Sequence, residues 1–568
     1  MKKITTIVRG IAVVLSAAAL AACAGLPTSG PVGIGLPVGN VEAESPFVEE
    51  ASSPIAGAGP EAIVSGFLDA SITPTENWAI AREYLTSEFA DQWRPGAGVT
   101  IDVAGSRSYA STAETADEIE SAEQVDVDVD LDQRASVDAE GAYTEAAGDT
   151  ELAFRLVRDE DGEWRIASAP DGIVLDEASF QQVYSRYSLQ YFDQTWRHLV
   201  PDVRWYPRRS NVATSITQAV IEGTPSEWLS PAVQSAFPVD VLLDGSSVPV
   251  SEQIATVALT DAALGLDQPT LARMRTQLER SLSAAGVSEV RFTVNGAPLD
   301  ADTAGLAADD ADISTIVLTE DGFGTLVGGE VTPIAGISEA LAQIAQPITA
   351  IDLAQGERLA SVQLSTGAVY AIMDGHVNEL PAGAGLVKPS IDPYGYIWTV
   401  PTGAPQDLRA WTAQVTPYNI EEAWPEASAV SAIRVSTDGV RIAALVTIGG
   451  RQSVVTAVII RDENSVPLGL GQTHEVAELS TPAQGLVWLG ADSLGILTQG
   501  EEAGLIVQIV GGPGTGQTAP DGSTALAGAK SQAGVRILGD DGTLFAPRVS
   551  AWQEYFDGVV VLGTRAGY

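Results

Sequence analysis

The stretch from Gly511 to Thr518, GGPGTGQT, comes close to a known chemical motif. It differs at one position from GxxxxGK[ST], a loop whose backbone amides cradle phosphates while its lysine reaches the β- and γ-phosphates. Gln517 stands at the lysine position, and the Ala-Pro-Asp-Gly that follows cannot open a phosphate-binding helix. We therefore predict a glycine-rich loop between two blades of a β-structure, and no nucleotide site.

The three histidines do not have the spacing of a metal site. His198 lies in a Trp-rich stretch, His376 follows an Asp-Gly turn, and His474 falls in a predicted loop. The segment HEVAE has Glu478 where the zinc motif HExxH requires its second histidine. No metal is predicted.

Nucleophilic chemistry also lacks a motif. The sequence has no GxSxG elbow and no serine in a recognisable triad. Its one cysteine lies near the N-terminus, and nothing among the 74 acidic residues marks a carboxylate pair for glycoside hydrolysis. We predict that the protein is not an enzyme, has no catalytic residues and needs no cofactor.

Four acids, Asp126, Asp128, Asp130 and Asp132, resemble a calcium ladder. On a strand, however, residues two apart share one face, so VDVDVDLD predicts a solvated acidic face over a Val/Leu core. No glycine-containing loop wraps these oxygens around a cation, as an EF-hand requires.

The densest group of positive and aromatic residues is Arg204, Trp205, Tyr206, Arg208 and Arg209. Arginine and aromatic residues are enriched at interfaces, which makes this group a candidate partner-binding or glycan-binding patch. The alternative is a strand edge whose tryptophan packs inward while the arginines pair with local acids. The surplus of acids favours that alternative.

The elements that carry these residues begin with a secretory signal. Residues 1–22 have a basic head and a short apolar run, and LAAC ends at Cys23, which matches the bacterial lipobox. In such signals the cysteine is diacylated on sulfur, the chain is cut before it, and the new amine is acylated. The alternative is an ordinary signal with a chance cysteine. We expect an extracytoplasmic protein anchored to the cell membrane by lipid at Cys23.

Residues 23–59 are rich in Gly, Pro and Ser and lack periodicity, which predicts a flexible tether. The net charge of −44 excludes nucleic acid and charge-driven docking on an anionic bilayer. The only membrane contact that we expect is through the anchor.

Two domains are predicted before the C-terminal half. Residues 60–179 have helical spacing first and alternating strands later, with a hairpin turn at Asp161-Gly162. This order predicts an α+β domain and resembles the NTF2-like fold. Residues 180–305 contain LVPDVRWYPR, AVIEGTP, TQLERSL and VRFTVNG in that order. They resemble the GerMN module, an α/β fold with no known catalytic constellation.

Residues 337–568 contain five loose copies of an apolar strand, a Gly/Asp turn and a second apolar strand. Their spacing predicts the blades of an all-β propeller, with an irregular β-sandwich as the alternative. Residues 306–336 form a connector or a first propeller strand. Either YFDGVVVLGT or the residues near Ser314 to Leu318 could complete a further blade.

Taken together, the lipobox, tether, α+β domain, GerMN-like module and propeller resemble the LpqB family of actinobacterial lipoproteins. The resemblance implies an accessory protein of the MtrA–MtrB two-component system, which binds the extracytoplasmic domain of the sensor histidine kinase and influences envelope homeostasis and division. Only Cys23 can be carried over as a family site residue.

Two further functions stay open. One is binding or processing of cell-wall glycan, for which a propeller is also a common scaffold. The other is a purely structural lipoprotein, for which the sequence has no distinguishing feature.

Overall fold

The computed structural model describes residues 51–113, 115–208, 211–307, 314–500, 503–549 and 551–568. Cys23, the predicted signal, most of the predicted tether and Arg209 lie outside these residues. Within the described ranges, no helix is long and apolar enough to cross a membrane. These ranges belong to one compact unit.

The first domain packs short helices against a six-stranded sheet. Its helices are α1 (Pro60–Ala70), α2 (Ala79–Arg82), α3 (Ser87–Gln92), α4 (Ala116–Ser121) and α5 (Glu177–Val183). Its strands are β1 (Val99–Asp102), β2 (Ser108–Ser111), β3 (Gln124–Val137), β4 (Tyr143–Arg158), β5 (Trp164–Ser168) and β6 (Ile173–Asp176). The sheet order is β5-β4-β3-β1-β6, with β2 on β3. Only β1 and β6 pair in parallel, which agrees with the predicted α+β class.

Local patterns explain these elements. In α1, Pro60 occupies the first turn, and Ile63, Val64, Phe67 and Leu68 form the buried face. In β3 the Val/Leu positions are buried and the intervening acids reach solvent to varying degrees, as the alternation predicts. Two of these acids form ion pairs, Asp126 with Arg155 and Asp132 with Arg134.

In its described residues, the second domain has two small sheets and two α-helices. Its strands are β7 (Tyr184–Asp193), β8 (Leu199–Pro207), β9 (Val233–Gln234), β10 (Val250–Ser251), β11 (Ile254–Leu259), β12 (Glu289–Val294) and β13 (Ala297–Leu299), and its helices are α6 (Val212–Ile221) and α7 (Gln268–Leu282). The sheet orders are β8-β7-β9 and β10-β11-β12-β13. Asp267 caps α7, and Leu271, Met274, Leu278 and Leu282 form its buried face, as predicted.

The rest of the described chain is a propeller of six sheets. Its elements in chain order are β14 (Ile316–Thr319), β15 (Gly322–Val327), β16 (Glu330–Thr332), α8 (Ser338–Leu341), β17 (Ile348–Leu353), β18 (Leu359–Leu364), β19 (Val369–Met373), β20 (His376–Leu380), β21 (Ser390–Ile391), β22 (Ile397–Thr399), β23 (Arg409–Trp411), β24 (Pro417–Asn419), β25 (Ala429–Val435), β26 (Arg441–Ile448), β27 (Arg451–Arg461), β28 (Pro467–Leu470), β29 (His474–Glu478), β30 (Ala483–Leu489), β31 (Ser493–Thr498), β32 (Gly504–Ile509), β33 (Gly514–Thr518), β34 (Ser523–Ala527), β35 (Arg536–Gly539), β36 (Leu544–Arg548), β37 (Ala551–Phe556), β38 (Val559–Leu562) and β39 (Thr564–Arg565).

The five sequence copies correspond to blades 2 to 6, which begin at β17, β21, β25, β30 and β34. Blade 1 joins β14, β15 and β16 to the C-terminal strand β38. Both segments proposed for closing the ring therefore pair with each other in one blade. The predicted propeller is confirmed, and the β-sandwich alternative is excluded.

Two local predictions were wrong. The stretch GGPGTGQT is not a loop between blades, because Gly514–Thr518 pairs with β32 as the outer strand of blade 5. His474 does not lie in a loop, because it begins β29, which pairs with β27. In both cases cross-strand hydrogen bonds outweigh the low intrinsic strand propensity of the segment.

Candidate functional site

Strand β8 carries three residues of the predicted patch, Arg204, Trp205 and Tyr206, to the place where all three domains meet. Trp205 is 6% exposed and belongs to the core of the first domain, with its ring 4.9 Å from that of Phe180. Its backbone N–H donates to the carbonyl of Gly141 at 2.8 Å. Its indole N–H donates to the carbonyl of Gly511 in the propeller at 2.9 Å. One residue thus ties the second domain to both of its neighbours.

Arg204 points into the second domain. Its Nη2 donates to Asp202 Oδ2 at 2.8 Å and to Ser226 Oγ at 3.1 Å. Burial is the largest single influence and opposes the charged guanidinium. The charge and hydrogen bond of Asp202, together with Tyr191 and Tyr206, outweigh it and hold the pKa of Arg204 above its ordinary value. Arg204 Nε is buried and has no hydrogen-bond partner among the described residues. The arrangement positions the loop that contains Ser226.

Tyr206 and Arg208, the other described patch residues, make separate contacts. Tyr206 is half-buried, and its hydroxyl donates to the carbonyl of Glu140 at 3.3 Å. Burial raises the pKa of Tyr206 to about 12. Arg208 is exposed, and its Nη2 donates to the carbonyl of Gln181 at 3.3 Å. The described members therefore do not form one exposed surface, since Arg204 and Trp205 face inward.

A crevice of about 730 Å³ lies between the first two domains, beside β8. Carboxylates line it from the turn after β3 and from the loop after α6, namely Asp138, Glu140, Glu222 and Glu227. Crevices between domains are common ligand sites, and this one favours a cationic or hydrogen-bond-donating group. The described residues contain no cluster of three or more potential metal ligands.

Aromatic residues in the crevice are poorly placed to stack on a sugar. Trp78 and Trp205 line it, but they are only 1% and 6% exposed. Tyr206 is half-buried and is the remaining aromatic lining side chain apart from the buried Tyr184. An open aromatic platform of the kind that glycan binding predicts is therefore absent from the described lining of this crevice.

The second domain also packs on the propeller. Ser188 Oγ donates to Asp492 Oδ2 at 3.1 Å. Trp228 stacks on His474 with ring centroids 4.9 Å apart and an interplanar angle of 4°. Burial lowers the pKa of His474, so a neutral imidazole is favoured in this stack. His474 is thus part of a domain contact.

His198 also has a structural position. Its backbone N–H donates to Asp193 Oδ1 at 2.9 Å, and its Nδ1 lies 3.4 Å from Asp193 Oδ2. Burial opposes ionisation of Asp193, but hydrogen bonds from His198, Thr195 and Arg197 lower the pKa of this carboxyl to about 2. These contacts hold the turn between β7 and β8.

The propeller contains buried ion pairs that the sequence did not reveal. Arg441 is fully buried, pairs with Asp438 and lies 4.8 Å from the ring centroid of Trp488. Arg461 pairs with Asp392 at 2.7 Å and lies over Tyr394. The sequence contains one sign of the pair between Asp438 and Arg441. Asp438 belongs to the Ser-Thr-Asp-Gly turn, and Arg441 follows it by three residues. Arg461 of blade 4 thus pairs with Asp392 of blade 3, and Arg441 of blade 4 donates to the carbonyl of Ala491 in blade 5.

Comparison with known proteins identifies each domain. The family model described as Lipoprotein LpqB, N-terminal domain, matches residues 53–181. The Germane model, described as Sporulation and spore germination, matches residues 188–300, and the Lipoprotein LpqB beta-propeller domain matches residues 321–561. The two LpqB models lie on either side of the Germane match, in the order that the sequence predicts.

Similar proteins from several organisms are also named Lipoprotein LpqB. Lipoprotein LpqB of Cutibacterium acnes is 26% identical over 97% of this chain and 98% of that protein. Its counterpart in Rhodococcus opacus is 26% identical over 83% of this chain and 82% of that protein. Lipoprotein LpqB of Streptomyces coelicolor is 27% identical over 89% of this chain and 87% of that protein. The chain therefore belongs to the LpqB family of lipoproteins.

Proposed function

We propose that this protein is a non-catalytic adaptor, anchored by lipid at Cys23 to the extracytoplasmic face of the cell membrane. Its partner is the extracytoplasmic domain of a sensor histidine kinase of the MtrA–MtrB type, through which it influences envelope homeostasis and division. Membership of the LpqB family and the lipobox at Cys23 support this proposal.

The observation that carries the adaptor role is the coupling of the three domains at β8. Trp205 belongs to the core of the first domain and donates a hydrogen bond to the propeller, while Ser188 and Trp228 hold the second domain on the propeller. A body coupled in this way presents its surfaces in a constant relative orientation. An anchored tether raises its effective concentration beside a membrane partner.

A non-catalytic role agrees with the contacts that the buried charged side chains make. Arg204, Arg461 and Arg441 pair with Asp202, Asp392 and Asp438. Asp202 also accepts from Ser226, and the pair of Arg461 and Asp392 joins two blades. The crevice carboxylates are not part of a cluster of three or more potential metal ligands among the described residues. Such a surface suits binding better than bond cleavage.

Binding of cell-wall glycan is the second candidate. The four carboxylates of the crevice favour it, because acidic side chains accept hydrogen bonds from sugar hydroxyls. The burial of Trp78 and Trp205 weighs against it.

Crosslinking and affinity capture from membranes of the native host test the proposal. Wild-type protein is expected to capture a sensor kinase, and Cys23→Ala is expected to lose both membrane association and capture, since the diacyl anchor is gone. Palmitate labelling of the wild type, absent in Cys23→Ala, reports the anchor independently of the partner.

A surface variant refines the test. Arg208 is the exposed described member of the patch, so Arg208→Ala is expected to weaken capture several-fold if the patch contacts the kinase. Arg155→Ala, at an arginine on β4 that is also largely exposed, is the matched control. Recovery of wall glycan without any kinase from wild-type membranes would contradict the adaptor role and favour the second candidate.

A further inference from the structure

A groove on the rim of the propeller combines an apolar floor with unpaired polar groups. It lies between the loop that leaves β24 and the segment that joins β28 to β29, and its volume is about 500 Å³. The loop is held to blade 4 because Leu470 N donates to the carbonyl of Glu421 at 2.9 Å, while Glu421 N donates to the carbonyl of Leu468. Both walls are thus part of the ordered propeller.

The floor of the groove contains a donor without an acceptor. Trp424, Ala427 and Leu470 are buried and belong to one core cluster, with Ile448 packed against it. Trp424 is 2% exposed, and its indole N–H has no hydrogen-bond partner among the described residues. A buried donor without an acceptor is costly, so an acceptor supplied by a ligand would be favoured.

The rim of the groove is acidic. Glu422 and Glu426 line it and are exposed, and neither carboxylate forms an ion pair or hydrogen bond with a described residue. Other carboxylates of the propeller are paired, for example Glu478 with Arg451 and Glu357 with Arg565. The two rim acids are therefore available to a cation from outside the chain.

One wall offers unpaired backbone. Strand β27 pairs with β28 through residues 459–461 and with β29 through residues 453–456. Gln472 and Thr473 lie between these two ladders and make no backbone hydrogen bond to a described residue. Consecutive free peptide groups of this kind can bind an extended segment of another chain.

We propose that this groove binds an extended peptide segment that carries a lysine or arginine. A backbone carbonyl of the peptide would accept from Trp424, and its basic side chain would lie between Glu422 and Glu426. Apolar side chains beside the basic one would cover Leu470 and Ile448. This site is separate from the β8 crevice, and it does not rest on the proposed association with a kinase.

Fluorescence anisotropy with the purified full-length protein tests the site. The probe is a labelled, end-blocked peptide of alternating alanine and lysine, titrated at about 0.15 M salt so that long-range attraction is screened. We expect saturable binding to the wild type and loss of affinity of about tenfold in Glu422→Gln/Glu426→Gln, because two charge-assisted contacts disappear.

The matched control removes the same charge from another acidic groove. Glu320 and Glu330 line a groove of about 460 Å³ on blade 1, and both are exposed. Glu320→Gln/Glu330→Gln is expected to change the affinity less than about twofold. Equal losses in the two double variants would mean that the peptide senses only the overall negative charge, and this would overturn the proposal.

Two more measurements address the peptide backbone. Trp424→Phe removes the indole donor and is expected to weaken binding while circular dichroism confirms the fold. Spermine carries the same kind of charge without carbonyl groups, so it should displace the labelled peptide only weakly. Displacement by spermine at equal charge concentration, or absence of any binding to the wild type, would refute a peptide site.

Discussion

The side chain of Trp205 is shared between two domains. Its ring packs against Phe180 in the first domain, and its indole N–H donates to Gly511 in the propeller. Gly512 must lack a side chain here, because a Cβ would lie 2.9 Å from Trp205 Cζ2. The glycine-rich stretch that resembles a phosphate loop thus receives an indole ring from another domain.

Replacing Trp205 with phenylalanine tests this contact. The variant loses the hydrogen bond to Gly511 and part of the packed ring, so we expect the free energy of unfolding in urea to fall by about 2 kcal/mol. Trp552→Phe is the control, since the indole of Trp552 donates to the carbonyl of Thr518 at 2.8 Å near the surface. Its cost should stay below about 1 kcal/mol. Equal costs would show that the Trp205 contact does not couple the domains.

At the scale of elements, the C-terminal segment closes the propeller. Strand β38 completes blade 1, and β39 pairs in parallel with β17 of blade 2. Beyond β39, Gly567 forms a parallel bridge with Ser436 after the inner strand of blade 4, and Tyr568 is 3% exposed. The last residues therefore connect three blades of the ring.

Gly567→Ala is expected to disturb this closure. Gly567 has a φ of 88°, and an added Cβ would lie 2.6 Å from the Cα of Thr437, so the backbone would have to move. We expect the free energy of unfolding in urea to fall by about 3 kcal/mol. Gly558 also has positive φ, but it has open space around the Cβ position, so Gly558→Ala should cost only about 1 kcal/mol. If the two variants were equally stable, the C-terminal segment would not be tightly packed.

At the scale of the whole molecule, the net charge of −44 means that carboxylates outnumber the basic groups that could pair with them. Partial burial of Glu145 in the first domain, followed by repulsion from Glu475 of the propeller, raises the pKa of Glu145 to about 7. Its ionised form is therefore disfavoured in the folded state. The stability associated with Glu145 is complete below pH 4.5, the ordinary pKa, and is lost as the pH rises through 7.

Glu145→Gln removes this dependence, because glutamine resembles the protonated form. Glu145 keeps much of its surface in solvent, so screening reduces the effect, and we expect the variant to be more stable than the wild type by about 1 kcal/mol at pH 8. The difference should shrink at pH 5, which is still above the isoelectric point of about 4.2. Urea unfolding at both pH values measures it, with the exposed Glu151→Gln on β4 as the control. A difference that did not depend on pH would contradict the interdomain repulsion.

Much of the fold follows from local sequence. The 3.6-residue spacing in α1 and α7, the alternation in β3 and the Asp-Gly turns of the blades each depend on neighbouring residues. Burial of one face is a local pattern, so these elements and the order of the domains could be predicted. The lipobox at Cys23 is likewise a contiguous signal.

Other features depend on residues that are distant in sequence, and only the tertiary structure determined them. Trp205 meets Gly511 across 306 positions, and Trp228 stacks on His474. No local window contains both partners, so Trp205 looked like a possible binding residue and GGPGTGQT like a loop. The energy that decides their roles comes from long-range packing and strand pairing, which a local pattern does not contain.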